Sequence, residues 1–151
     1  MSKSYNIVLN SAKNYSVGAS KASVTYAINW DFLEPGQYEV HFTFVSNVLN
    51  VTGSDVGNIF INFGGNQQSF HAFNTTTASS INYLGITKPY IIGTSSFLLA
   101  EDNTNPPIFL NGRPTNNLFT VEVYQNDFTT LFTPATGSFP DYVLHLKFYK
   151  I

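Results

Sequence analysis

The sequence predicts an all-β protein, an antiparallel two-sheet sandwich, on three observations: strand-period alternation along most of its length, turn residues that punctuate the runs, and no segment with a convincing 3.6-residue apolar period. The alternation is clearest in three places. Tyr38, Val40, Phe42 and Phe44 interleave with Glu39, His41 and Thr43. Phe119, Val121 and Val123 interleave with Thr120 and Glu122, and Tyr142, Leu144, Leu146 and Phe148 with His145 and Lys147. Apolar residues at i, i+2 and i+4 give a strand one buried face and one wetter face, so repetition of the pattern implies sheets packed over a core.

Taken in order, strands are expected near 5–10, 22–30, 37–46, 57–63, 68–73, 81–99 in one or two pieces, 117–125 and 141–150. The first opens on Asn6-Ile7-Val8-Leu9, and the second places Val24, Tyr26, Ile28 and Trp30 in one phase. Leu33-Glu34-Pro35-Gly36 then sets Pro and Gly at the two central positions of a type II turn, just before the alternation from Gln37 to Val45 starts. Gly64-Gly65-Asn66, Asn105-Pro106-Pro107, Asn111-Gly112 and Pro134 to Gly137 break other runs, because they supply positive φ or remove a backbone donor. With no linker, repeat or low-complexity block, residues 1–151 read as one domain, a single jelly roll of about eight strands.

At 151 residues the chain can bury a sizeable core without staples. It has no cysteine, so stability must come from packing and backbone ladders. No secretory or membrane-spanning segment is expected, because the stretch from Met1 to Leu9 is too short and polar for a signal. Only 11% of residues are charged, against about a quarter in ordinary soluble domains, and the formal net charge is −2. Six scattered lysines and one arginine, Arg113, make a phosphate-tracking surface and direct nucleic-acid binding unexpected. A surface built instead from Asn, Thr, Ser and Gln suits a protein held against neighbours, and a solitary neutral module would look similar.

Catalytic signatures are not found. His41 and His145 sit at the polar phase of strands, and His71 lies beside Phe70 and Phe73. No spacing brings these histidines together as a metal site requires. There is no Gly-x-Ser-x-Gly elbow, and the carboxylates fall mainly at strand ends and turns. No catalytic residue, metal or cofactor is therefore expected. Glu101-Asp102-Asn103-Thr104-Asn105 is rich in oxygen donors but lacks the ligand spacing of a calcium loop. Trp30 could serve as a sugar platform, but its phase places it in the core. The acceptor patterns at Asn14, Asn50 and Asn74 read as chance in an Asn- and Thr-rich chain.

Tyr26-Ala-Ile-Asn-Trp30, Leu33-Glu-Pro-Gly-Gln-Tyr-Glu-Val-His-Phe-Thr-Phe44, Asn105-Pro-Pro-Ile-Phe-Leu-Asn-Gly-Arg-Pro-Thr-Asn-Asn117 and Asp141-Tyr-Val-Leu-His-Leu-Lys-Phe148 together resemble the small single-jelly-roll minor capsid proteins of large icosahedral double-stranded DNA viruses. The resemblance covers most of the chain and is one of strands and turns. It implies a jelly-roll fold and a non-enzymatic role in the virion shell, as a minor, penton-like or cement component. The implied partners are the chain itself or other capsid proteins, and no shell position follows.

If that holds, the loop from Asn103 to Asn117 fills gaps between larger subunits, with Ile108, Phe109 and Leu110 as apolar anchors. Arg113 is either an interfacial anchor or an intramolecular clamp on loop carbonyls. Phe128, Leu131, Phe132 and Phe139 give the connection before the last strand an unusual apolar density; it either folds over the sandwich end as a lid or meets a partner. Two other classes stay open: a trimeric ligand-binding sandwich resembling the tumour-necrosis-factor or C1q type, and a carbohydrate-binding module.

Overall fold

A computed structural model describes residues 3–51, 55–64, 66–74, 77–101 and 105–151, with the backbone alone at 70–74 and 77–80. The strands are β1 (Ser4–Asn10), β2 (Ser16–Val17), β3 (Ser23–Ala27), β4 (Tyr38–Ser46), β5 (Gly57–Ile61), β6 (Phe70–Asn74), β7 (Thr77–Ile81), β8 (Tyr83–Ile92), β9 (Ser95–Ala100), β10 (Ile108–Leu110), β11 (Leu118–Tyr124) and β12 (Tyr142–Lys150). Every pairing is antiparallel. The helical content among the described residues is a single 3-10 turn at Trp30–Phe32.

One curled sheet runs in the order β1-β12-β4-β9-β8-β5-β11-β3-β2, and β10 joins the edge of β4; β6 and β7 form a separate hairpin. The curl is made by β8. Its residues Tyr83 to Thr87 pair with β5, whereas Lys88 to Ile92 pair with β9, so one strand serves both halves of the order. Two side chains hold the crossing. The buried Thr87 hydroxyl accepts from Gly57 N at 3.1 Å and donates to Gly57 O at 3.2 Å. The Asn105 amide binds both backbone groups of one residue, accepting from Ile86 N at 2.8 Å and donating to Ile86 O at 2.9 Å, as a neighbouring strand would. Gly85 lets the sheet close here, since a Cβ at that position would meet the Phe42 ring at 2.5 Å.

The inward phases of the two halves meet in one core. Phe148 of β12 lies 5.7 Å from Phe63 and 5.8 Å from Trp30, ring centre to ring centre, and the Tyr26 hydroxyl donates to that of Tyr142 at 3.3 Å. Burial of such side chains contributes about 1.5–3 kcal/mol each, which is the main force holding the curl. Far from β8 on both sides of the order, β1 and β3 leave between them a groove lined by Ile7, Leu9, Tyr15, Tyr26 and Ile28.

All the expected strand regions carry strands, and 81–99 divides into β8 and β9. Gly36 takes a positive φ of 145°, well beyond the roughly +80° of the expected type II turn, so the chain bends here without forming that turn. Trp30 differs from expectation in its element. The strand ends at Ala27, Asn29 Oδ1 accepts from Asp31 N at 3.0 Å, and the 3-10 turn this caps swings Trp30 inward. Trp30 is 3% exposed and its indole N–H donates to Asn116 O at 2.8 Å, so it is no sugar platform.

Candidate interaction surface

The outer face of β1, β12, β4 and β9 is striped. Register places Val143 opposite Val45 and Val45 opposite Leu99, all on the outward phase, so one end of the face is apolar. Val45 is 43% exposed and borders a shallow hollow with Val48 and Phe97. The Phe97 ring continues the patch to Tyr90 at 5.3 Å. The middle of the face is polar: Lys147 stands opposite His41, and His145 Nε2 lies 3.1 Å from Asn6 Oδ1. At the far end Glu39 Oε1 meets His41 Nε2 at 2.6 Å, the His41 ring sits edge-on to Tyr149 at 5.3 Å, and β10 places Phe109 opposite Glu39.

β10 sorts the three expected loop anchors. Ile108 and Leu110 point into the core and are each 1% exposed, so neither can anchor a partner; this corrects the expectation for both. The alternation of a three-residue strand turns only Phe109 outward. Arg113 is engaged within the chain: its Nη1 donates to Leu33 O at 3.1 Å and lies 3.8 Å from Asp31 Oδ1. Of its two expected roles, the intramolecular clamp is thus the one with contacts in the free chain.

The connection before β12 folds over the core end. Phe132 and Phe139 are buried with their rings 5.7 Å apart, and Ala135 N donates to Asn50 O at 2.9 Å. Phe132 therefore serves as lid, not as contact surface, which corrects its place among the interface candidates. Phe128, at φ 60°, stacks on Phe60 at 6.1 Å on the outer face of β5.

Charged groups act as local ties. Lys3 and Lys150 both bind Glu34 and hold its carboxyl below the usual range, while Lys21 and Ser11 do the same for Asp141. Asp127 accepts from the Thr130 hydroxyl, Thr130 N and Thr129 N, which brings it down to about 2. Burial pushes the hydroxyls of Tyr83 and Tyr124 up to about 12. Among the described residues no group of three or more His, Cys, Asp or Glu is placed to hold a metal ion. Asp102, Asn103 and Thr104 of the oxygen-rich loop lie outside the described residues, as do the side chain of His71 and parts of the acceptor patterns at Asn50 and Asn74. Among the described residues no helix is long and apolar enough to cross a membrane.

Compared with known proteins, the chain matches no family model and no curated sequence.

Proposed function

We propose that the chain is a single-jelly-roll structural protein of a viral capsid, a non-enzymatic minor component that contacts its neighbours through the striped outer face. Strand order carries the reading. Leaving aside the two-residue β2 and the edge strand β10, the path holds β1, β3, β4, β5, β8, β9, β11 and β12. In that series first pairs with last, second with seventh, third with sixth and fourth with fifth. Nested pairing of this kind is a long hairpin rolled into two facing rows, β1-β12-β4-β9 and β3-β11-β5-β8, the arrangement of jelly rolls used in viral capsids and lectins.

The surface chemistry favours the shell role. Sparse charge leaves little mutual repulsion between copies, and an outer face with apolar ends and a polar middle has the character of a contact surface. Phe109 and Val45, each 43% exposed, supply the apolar ends without serving the core. The expected outcome is that mass measured by light scattering rises with concentration toward a closed ring or larger assembly. Phe109→Asp and Val45→Asp would return it to the monomer with an unaltered melting temperature. A wild-type protein that stays monomeric throughout, or variants that assemble as well as wild type, would sink assembly through this face.

A further inference from the structure

We infer that the outer face of the other half of the sheet carries a binding groove for a neutral saccharide. The groove crosses β5 and β11 beside residues 81–82 and encloses about 370 Å³, with an adjoining section of about 380 Å³. Both are within the range of small-molecule sites. Asn62, Asn82 and Asn116 line both sections and make them one continuous channel.

Its chemistry is that of a polyol site. Phe60 and Leu118 give an apolar wall, against which the C–H face of a sugar ring can lie. Glu122 has one carboxylate oxygen committed to the Tyr124 hydroxyl at 2.6 Å, which leaves Oε1 as an acceptor. Asn116 spends its Nδ2 on Asn62 O at 3.1 Å and keeps its carbonyl oxygen, while Asn62 spends its oxygen on Gly64 N at 3.0 Å and keeps its Nδ2. The Asn82 side chain has no hydrogen-bond partner among the described residues. The channel therefore offers both donors and acceptors, as sugar hydroxyls require, since each can both give and receive.

A second observation points to a ligand independently. Gln67, 9% exposed, lines the adjoining section, and its Oε1 accepts from Phe63 N at 2.8 Å. That bond fixes which way the amide faces and leaves Nε2 as a buried donor without a partner among the described residues. Among the described residues no Lys or Arg lines either section, and an anionic ligand would meet Glu122, so the ligand is neutral. The groove stands apart from the striped face and does not depend on a place in a shell.

The test is titration of isotope-labelled protein with lactose, maltose, cellobiose and chitobiose, read by the amide spectrum. At least one sugar should bind at millimolar strength and move the side-chain amides of Asn62, Asn82, Asn116 and Gln67. Asn82→Ala, which removes no side-chain hydrogen bond among the described residues, should weaken that sugar by roughly tenfold, the effect of one good hydrogen bond, while leaving the rest of the spectrum in place. Four outcomes would each overturn the assignment. They are no shift at tens of millimolar, shifts confined to other surfaces, undiminished binding by Asn82→Ala, or equally strong binding of glucuronate.

Discussion

Arg113 shows how much a single residue ties together. It is the chain's one arginine, and it joins the loop after β10 to the bend that opens β4 through the Leu33 carbonyl. Arg113→Ala removes a charge-assisted donor from a buried residue and should cost about 1 kcal/mol, lowering the melting temperature by roughly 2–4 °C in a chain of this size. A melting temperature unchanged within error would show that the clamp does not bear on stability. Asp127 makes a prediction in pH. Its pKa of about 2 lies below the ordinary value, so the stability it contributes is fully present above about pH 4. That contribution fades as pH falls toward 2. Asp127→Asn should flatten this part of the acid unfolding curve; an acid limb identical to wild type would contradict it. The outward turn of Phe109 was not legible, because Ile108, Phe109 and Leu110 are all apolar and only pairing with β4 decides which of them faces out. Arg113 had two roles open in the sequence, because its acceptor, Leu33 O, lies 80 residues away.

Among the elements, β8 carries the most consequence, since it passes from one row to the other between Thr87 and Lys88. Asn105 secures that passage by binding both backbone groups of Ile86. Asn105→Ala should cost about 1–3 kcal/mol by leaving those groups unpaired, and should speed hydrogen exchange at the Ile86 amide. Exchange as slow as in wild type would mean the crossing holds itself. Long alternations such as those of β4, β11 and β12 could be read directly, because burial of one face selects period two wherever a strand is paired along its length. β2, with two residues, and β10, with three, are too short to establish a period; each exists because a longer neighbour, β3 or β4, offers an edge. Trp30 kept its expected burial but lost its expected strand, since the Asn29 cap bends the chain before the alternation is complete.

At the scale of the whole molecule, the nested pairing was beyond the reach of local pattern. Alternation says that a segment is a strand, but not which strand lies beside it; first against last is decided by how the inward faces of both halves share Phe63, Phe119 and Phe148. The groove beside residues 81–82 was illegible for the same reason, as Asn62, Asn82 and Asn116 converge only once β5 and β11 pair. The placement of β8 has a mechanical corollary. A sheet hinged along one strand is bound like a book, with β8 as its spine and the two rows as its covers, which meet where Tyr26 of β3 reaches the Tyr142 hydroxyl of β12. The spine resists parting through backbone ladders on both sides; the fore-edge is latched by side chains over an open groove. A neighbour that clasps both covers would hold the volume shut and stabilise the closed form by mass action. Assembly would then set the rigidity of each subunit as well as its position.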